Sequence, residues 1–314
     1  SGQVSLGHLP SSLNTAAYCK ARLRLALGLI ERLGRETGAM LCTQQPQAWR
    51  WRDREVKFVD GTTVSMPDTA DNQASFPQSR TQKPGLEFPL ARLVTIVSLS
   101  CGAVLDWAVG PCEGKQTGET ALLWKLAQRL RRGDIVIADR YYAGYFLIAL
   151  LVQLGVDVVI RQHQRRHTDF RRGQRLGVKD HIVSWPRLQR PSWMDADTYA
   201  SMPETLRMRE VNVGGWTLIT TLTDAKEVSR RDVFELYRAR WQIELDLRSI
   251  KTSMRMDVLR CKSPQMVKKE IAVHILAYNL VRAVMAQAAH LGRVLPRQLS
   301  FKGALQLLNA FEEN

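Results

Sequence analysis

The sequence is poor in several features that mark specialised classes of protein. It has no run of 18 apolar residues and no apolar signal region at its start, which argues against a membrane-bound or secreted chain. Cysteine is scarce, and no C-x-x-C pair occurs. The five cysteines are therefore expected to be reduced, mostly structural thiols of a cytosolic protein: Cys19, Cys42, Cys101, Cys112 and Cys261.

Acidic residues are also few relative to basic ones. Lys and Arg number 45 against 30 Asp and Glu, a net charge of +15 over 314 residues. Such an excess points to a polyanionic partner such as nucleic acid. Hydrophobic residues make up 45% and charged residues 24%, as in ordinary globular proteins. The chain has room for one large domain or two to three smaller ones.

One stretch, residues 237–251, combines charge and helix-forming character. It contains no Gly or Pro and many strong helix formers, so one continuous helix is predicted. At about 100° per residue, five polar side chains share one face: Tyr237, Arg240, Glu244, Arg248 and Lys251. An adjacent apolar stripe can bury against a core. A solvated amphipathic helix has the same pattern, so periodicity alone leaves its role open.

Two aspartates follow predicted strands upstream of this helix. The pattern predicts a strand over 54–60, a hairpin over 93–109, a helix over 118–132, and strands over 134–138 and 156–160 separated by another helix. In a mixed α/β sheet of this order, the first and fourth strands lie side by side and parallel. Their carboxyl ends would bring Asp60 and Asp139 within a few ångströms, although each Asp alone also suits a turn.

The amino-acid composition changes at residue 161. Residues 161–193 hold nine Lys and Arg but only two acids, with Trp185 and Trp193 interleaved. We interpret 161–215 as a basic, β-rich insertion. Phosphate neutralisation and base stacking would suit nucleic-acid contact, and a merely solvated basic loop is the alternative.

Three carboxylates in this setting, Asp60, Asp139 and Glu244, are the residue types that phosphodiester chemistry with two divalent cations requires. Asp60 would bridge both ions, and the other two would complete the ligand shells. Hard oxygen ligands suit Mg²⁺ or Mn²⁺.

The spacing of four residues carries a family resemblance. The motif is Tyr, two residues, Arg, three residues, Glu, six residues, Lys, and here it reads Tyr237, Arg240, Glu244 and Lys251. Asp60 stands in Val-Asp-Gly-Thr and Asp139 in Ala-Asp-Arg-Tyr-Tyr. Over roughly residues 54–285, the sequence resembles the DDE transposases of bacterial insertion sequences, specifically the IS-four family.

The resemblance implies an RNase H-like mixed sheet with flanking helices, interrupted by a β-rich insertion before the last catalytic helix. It implies metal-dependent DNA cleavage and joining, with Asp60, Asp139 and Glu244 catalytic and holding two Mg²⁺ or Mn²⁺ ions. Implied partners are transposon ends, target DNA and a second copy of the chain, in the bacterial cytoplasm at the nucleoid. The implied DNA contacts are Tyr237, Arg240, Lys251, Trp216 and Arg140.

Trp216 has a more specific expectation. In family members that open the flank through a DNA hairpin, a Trp at the start of the last insertion strand stacks a flipped base. Trp216 looks like that residue because it heads Gly-Trp-Thr-Leu-Ile-Thr and stands 28 positions before Glu244. A core Trp on a strand is the alternative.

The expected organisation has four parts: an N-terminal helical segment over 1–50, a catalytic core over 51–160 and 216–255, the insertion over 161–215, and a helical region over 256–314. Only 59 residues precede Asp60. An end-binding region is therefore compact, lost from a chain that begins Ser-Gly, or absent from a repurposed protein. The alternative activities are a nuclease that cuts without joining and a DNA-binding protein with an inactive site, against which the intact acids argue.

Overall fold

A computed structural model describes residues 15–79, 83, 85, 88–115 and 117–312. Within them, nine strands form one mixed sheet. The strands are β1 (Val56–Ser65), β2 (Leu90–Ser98), β3 (Val104–Pro111), β4 (Ile135–Ala138), β5 (Asp157–Arg161), β6 (Gln174–Gly177), β7 (Asp180–Pro186), β8 (Thr205–Val213) and β9 (Trp216–Thr220).

The helices of the described residues cover both faces of this sheet. They are α1 (Ala16–Arg24), α2 (Leu27–Gln44), α3 (Ala70–Ser75), α4 (Glu119–Leu126), α5 (Tyr145–Gln153), α6 (Ala196–Ser201), α7 (Arg230–Arg238), α8 (Trp241–Arg248), α9 (Pro264–Leu291) and α10 (Phe301–Glu312). The N-terminal segment, expected to be helical, contains the two helices α1 and α2, because the backbone leaves helical geometry at Leu25.

The strand order is β3-β2-β1-β4-β5-β9-β8-β7-β6. β1, β2 and β3 are antiparallel neighbours, whereas β4 and β5 run parallel to β1. This arrangement confirms the expected RNase H-like mixed sheet. β9 returns antiparallel to β5, and β8, β7 and β6 follow it. The strands of the basic insertion thus extend the same sheet, while the four-part division of the chain stays a prediction.

The central strands are apolar on both faces because each face is covered. In β4, Ile135 and Ile137 belong to the core cluster that also contains residues of α7, α8 and α9. Val136 and Ala138 belong to a second core cluster with residues of α4 and α5. A strand buried on both sides has no reason to alternate, which explains its continuous apolar sequence.

The long helix α9 packs one face against the protein core and leaves the other exposed. It packs closely against α2, where a Cβ at Gly38 would lie 3.1 Å from the side-chain amide of Asn279 in α9 and would overlap the carbonyl oxygen of Val104 in β3. Asn279 of α9 bonds the backbone of Gly34 and Val104 at the same contact. By length and composition alone α9 could cross a membrane, but 44% of its most apolar window is buried in the protein.

The prediction of a single helix over 237–251 is wrong. α7 ends at Arg238, α8 begins at Trp241, and a π-helical turn covers Ser249–Ser253. The break consists of tight backbone bonds between residues three apart: Arg240 N–H donates to Tyr237 O, and Ile243 N–H donates to Arg240 O. Such bonds narrow the helix locally, so the wedge of five residues is not one continuous face.

Candidate active site

The sheet register places three charged residues in one row. Val59 of β1 pairs with Ala138 of β4, which pairs with Ile160 of β5. The next residues along these parallel strands are Asp60, Asp139 and Arg161. Asp60 is not at a strand end as expected, because β1 continues to Ser65 against β2. The parallel pairing with β4 does end at Val59, so the two aspartates are neighbours as predicted.

Asp60 is a largely buried carboxylate. Its side chain is 19% exposed. Burial raises the pKa of Asp60 to about 6, and the nearby charges of Glu119 and Asp139 add to this rise. The Gly61 N–H, which donates to Asp60 Oδ1 at 2.8 Å, and Arg240 partly offset it. A carboxylate held in this way gains strongly from a cation placed beside it.

Asp60→Asn is expected to stabilise the metal-free protein at pH 8. The folded-state pKa of about 6 exceeds the ordinary 3.8, so the folded protein binds this proton more tightly than the unfolded chain. Ionised Asp60 therefore destabilises the folded protein; this effect is complete above pH 6 and vanishes below about pH 4. Thermal unfolding in chelator should show a gain of about 1–3 kcal/mol at pH 8 and none at pH 4. Glu36→Gln, an exposed control, should gain nothing, and an unchanged or lower stability of Asp60→Asn at pH 8 would contradict the account.

Arg240 links Glu244 to the row of charged residues by ion pairs. The Arg240 guanidinium bonds Glu244 Oε1 at 2.5 Å and lies 3.6 Å from Asp60 Oδ2. One cation therefore joins carboxylates that are 184 positions apart in the chain. The i to i+4 spacing of Arg240 and Glu244 makes this pair possible across the helix break.

Tyr237 and Trp216 form the aromatic side of the site. Tyr237 is buried and packs edge-on against Trp216, with ring centroids 5.5 Å apart. Burial raises the pKa of the Tyr237 phenol, Asp139 adds to the rise, and Arg240 and Arg161 lower it. The Arg161 guanidinium lies 5.7 Å from the centroid of Trp216. Tyr237, Trp216 and Arg161 line an open cleft of about 700 Å³, and Glu244 lines it as well.

Sequence reasoning missed four residues of this site. Arg161 follows β5 in the way that Asp139 follows β4, so the strand-end argument would have found it. Trp241, 57% exposed, lines the cleft beside Arg240 but shows no sequence signal beyond its place inside the motif. The other two, Glu119 and Tyr142, are brought in by tertiary structure.

Glu119 adds a fourth carboxylate near Asp60. It is the first residue of α4 and accepts a hydrogen bond from the Tyr142 hydroxyl at 3.1 Å. A Cβ at Gly61 would overlap its carboxyl group, so the absence of a side chain at residue 61 admits Glu119. An acid in the first turn of a helix is common for dipole reasons, and so its sequence position carried no functional signal.

Two predicted DNA contacts lie outside this constellation. Arg140 donates to Gln164 Oε1 at 3.2 Å, on the edge of the basic insertion. Lys251 lies in the π-helical turn after α8 and is half-buried. Among the described residues, neither side chain contacts the three carboxylates. Arg248, which lies outside the family motif, is exposed.

The donor set suits a hard divalent cation. It consists of carboxylates, and burial raises the pKa of one of them, Asp60. In the described part of the chain, no three Asp, Glu, His or Cys side chains already converge as a ligand cluster. Arg240 is inserted between Asp60 and Glu244, so occupancy would require its guanidinium to give way. The residues present fit a metal in chemistry, and Arg240 is the group that metal binding would displace.

The family model for the transposase DDE domain matches residues 51–280, and the chain belongs to that family. Members of this family generally use divalent metal ions. The match spans every residue of the row, the motif and the cleft.

The chain is also similar to individual proteins. Transposase InsG for insertion sequence element IS4 of Escherichia coli strain K12 is 29% identical over 292 residues, which cover 86% of this chain and 63% of InsG. The chain thus spans somewhat less than two thirds of that relative. The putative transposase InsL for element IS186A of the same strain is 35% identical over 71 residues, covering 23% of this chain and 19% of InsL. A solved synaptic complex of piggyBac transposase with hairpin DNA aligns with a TM-score of 0.48 and 9% identity, over 82% of this chain and 52% of that one.

Proposed function

We propose that this chain is the catalytic part of a DNA transposase that cleaves phosphodiester bonds at transposon ends and joins the freed 3′ ends to target DNA. The observation that carries the proposal is the register that sets Asp60 beside Asp139, with Glu244 held to Asp60 through Arg240. The net charge of +15 supplies the attraction to DNA.

Asp60, Asp139 and Glu244 would hold the divalent ions, two in number and either Mg²⁺ or Mn²⁺. When bound, such ions activate the attacking water or 3′-hydroxyl and stabilise the leaving 3′-oxygen. Above pH 6, Asp60 is deprotonated and ready to bind a cation.

The cations of the site would hold the DNA backbone. Once released from the carboxylates, Arg240 can present its fork of donors to a phosphate near the scissile bond. Lys251 and Arg140 would bind phosphates farther along the strand. The Tyr237 hydroxyl, kept protonated by burial, would donate a hydrogen bond to the backbone.

The aromatic cleft would receive a flipped base during a hairpin step. Trp216 is partly buried, its ring is held by Tyr237 and Phe234, and Arg161 lies over its face. A supported ring with a cation nearby is a suitable surface on which to stack an unpaired base. The basic insertion, whose strands β8, β7 and β6 follow β9 in the sheet, would contact the flanking duplex. The DNA complex is expected to contain two copies of the chain.

A strand-transfer assay tests the proposal against cutting without joining. The substrates are a pre-cleaved terminal inverted repeat and a supercoiled plasmid, incubated with the chain and Mg²⁺. The proposal predicts plasmid joined to the end fragment, with the product lost in Asp139→Asn. Metal-dependent cutting of an uncleaved end with no joined product would assign the chain to the nucleases instead.

A further inference from the structure

The helix that carries Glu244 is fixed from behind by a buried charged cluster. Asp246 lies two residues after Glu244, about 200° around the helix, so the two carboxylates face opposite ways. Glu244 lines the open cleft, whereas Asp246 is fully buried. None of the sequence arguments assigned Asp246 a role, because it lies outside the family motif.

Four side chains make up this cluster, which we call the Asp246 hub: Asp246, Tyr278, Arg282 and Arg297. Arg297 donates to both carboxylate oxygens at 2.7 Å, and Arg282 and the Tyr278 hydroxyl donate to Oδ1. One carboxylate is thus the shared ion-pair partner of two buried or nearly buried guanidinium groups. No other acid contacts either arginine among the described residues.

The hub connects α8 to the catalytic sheet. Arg297 also donates to the carbonyl oxygens of Ser98 and Leu99 at 2.7 Å each. The single hydroxyl proton of Tyr278 is shared between Asp246 Oδ1 and Gly102 O, which lies 2.9 Å from the phenol oxygen. These carbonyls belong to the end of β2 and the turn that follows it. Because Ser98 pairs with Lys57 of β1, the hub joins the helix of Glu244 to the strand of Asp60.

α8 has few other means of holding its orientation. It is only eight residues long, has no side-chain N-cap and runs directly into the π-helical turn. Short helices depend on tertiary contacts for their stability. Ile243, Leu247 and Ile250 supply apolar contacts, but such contacts are not directional. The four bonds to Asp246 fix the rotation of α8, and with it the direction of Glu244.

We infer that Asp246 is a positioning residue for Glu244, and that Arg282 and Arg297 make the C-terminal segment a working part of the catalytic site. The inference rests on the proposed function, since it treats Glu244 as a metal ligand. Groups that hydrogen-bond directly to a metal ligand influence metal affinity about 10–100-fold. Asp246 acts on Glu244 through the orientation of α8, so an effect at the lower end of that range is expected. The helical layer after residue 256 therefore serves the chemistry as well as the core.

Calorimetric titration of the 314-residue chain with Mn²⁺, without DNA, tests this role. Asp246→Asn is expected to lower the Mn²⁺ affinity about 10-fold or more. The matched control is Asp180→Asn, which breaks a buried pair with Arg209 in the insertion, four strands from β1. That control should lose stability without losing Mn²⁺ affinity. If Asp246→Asn does not fold, Arg297→Gln replaces it in the test. This substitution weakens the Asp246 hub from outside α8 and should also lower the Mn²⁺ affinity.

A double substitution separates positioning from a general structural effect. In a Glu244→Gln background, Asp246→Asn should cause no further loss of Mn²⁺ affinity, because Asp246 acts only through Glu244. An equal loss in both backgrounds, or folded hub variants with wild-type affinity, would overturn the inference. Two other results would instead refute the proposed metal site itself. One is absence of Mn²⁺ binding to the wild-type chain, and the other is an Asp60→Asn variant with wild-type Mn²⁺ affinity.

Discussion

Asp139→Asn is expected to reduce metal-dependent cleavage of a transposon end by at least about three orders of magnitude, with DNA affinity nearly unchanged. The amide keeps the shape of the side chain and its N-cap bond to the Tyr141 N–H, which measures 2.7 Å. It removes the negative charge that a divalent ion requires, and each such ion lowers the barrier by several kcal/mol. Single-turnover cleavage and gel-shift titration on the same duplex measure the two effects.

Asp60→Asn and Glu244→Gln should behave in the same way, since all three carboxylates act on one site. Glu235→Gln is the matched control, because Glu235 lines the same cleft but lies outside the row and the motif. It should cleave at close to the wild-type rate. Wild-type cleavage by any one of the three variants would show that the acid concerned is not part of the catalytic set.

Trp216→Ala is expected to slow hairpin formation about 10–100-fold while leaving the first nick nearly unaffected. Stacking of a base on an aromatic ring contributes about 1–3 kcal/mol, and only the hairpin step needs the base to leave the helix. Time courses on a labelled end resolve the nicked and hairpin species. Trp216→Phe should keep most of the hairpin rate, since a smaller aromatic face remains.

The control for this prediction is Trp193→Ala. Trp193 is 49% exposed in the insertion, where it packs against Trp124 and Phe146. Its removal should affect both steps equally or neither. If Trp216→Ala slowed nicking and hairpin formation by the same factor, Trp216 would be a structural residue that supports Tyr237.

The sequence allowed the neighbouring positions of Asp60 and Asp139 to be predicted because strand patterns are local. The apolar runs before Asp60 and Asp139 were enough to place two parallel strands, and the register then aligned the two acids. The end of β1 was misplaced, because its continuation to Ser65 depends on pairing with β2, a contact that no local pattern records. The family spacing of Tyr237, Arg240 and Glu244 identified the third acid.

What could not be predicted depends on contacts between distant segments. The break between α7 and α8 replaces ordinary helix bonds with tighter ones, although the composition of 237–251 favours an unbroken helix. Glu119 enters the site only because residue 61 is Gly and β1 passes beneath α4. The sequence around Asp246 is that of an ordinary helix, and its burial depends on contacts with α9 and Arg297, which are distant in the chain.

The most direct measurement of whether Asp60, Asp139 and Glu244 share one metal site is localised cleavage of the protein backbone. Fe²⁺ replaces the native ion, and ascorbate with peroxide generates hydroxyl radicals that cut the chain close to the bound metal. We predict fragments ending near residues 60, 139 and 244, suppressed by excess Mn²⁺ and lost together in Asp139→Asn. Cuts confined to other segments, or cuts near these residues that persist unchanged in Asp139→Asn, would contradict a shared site.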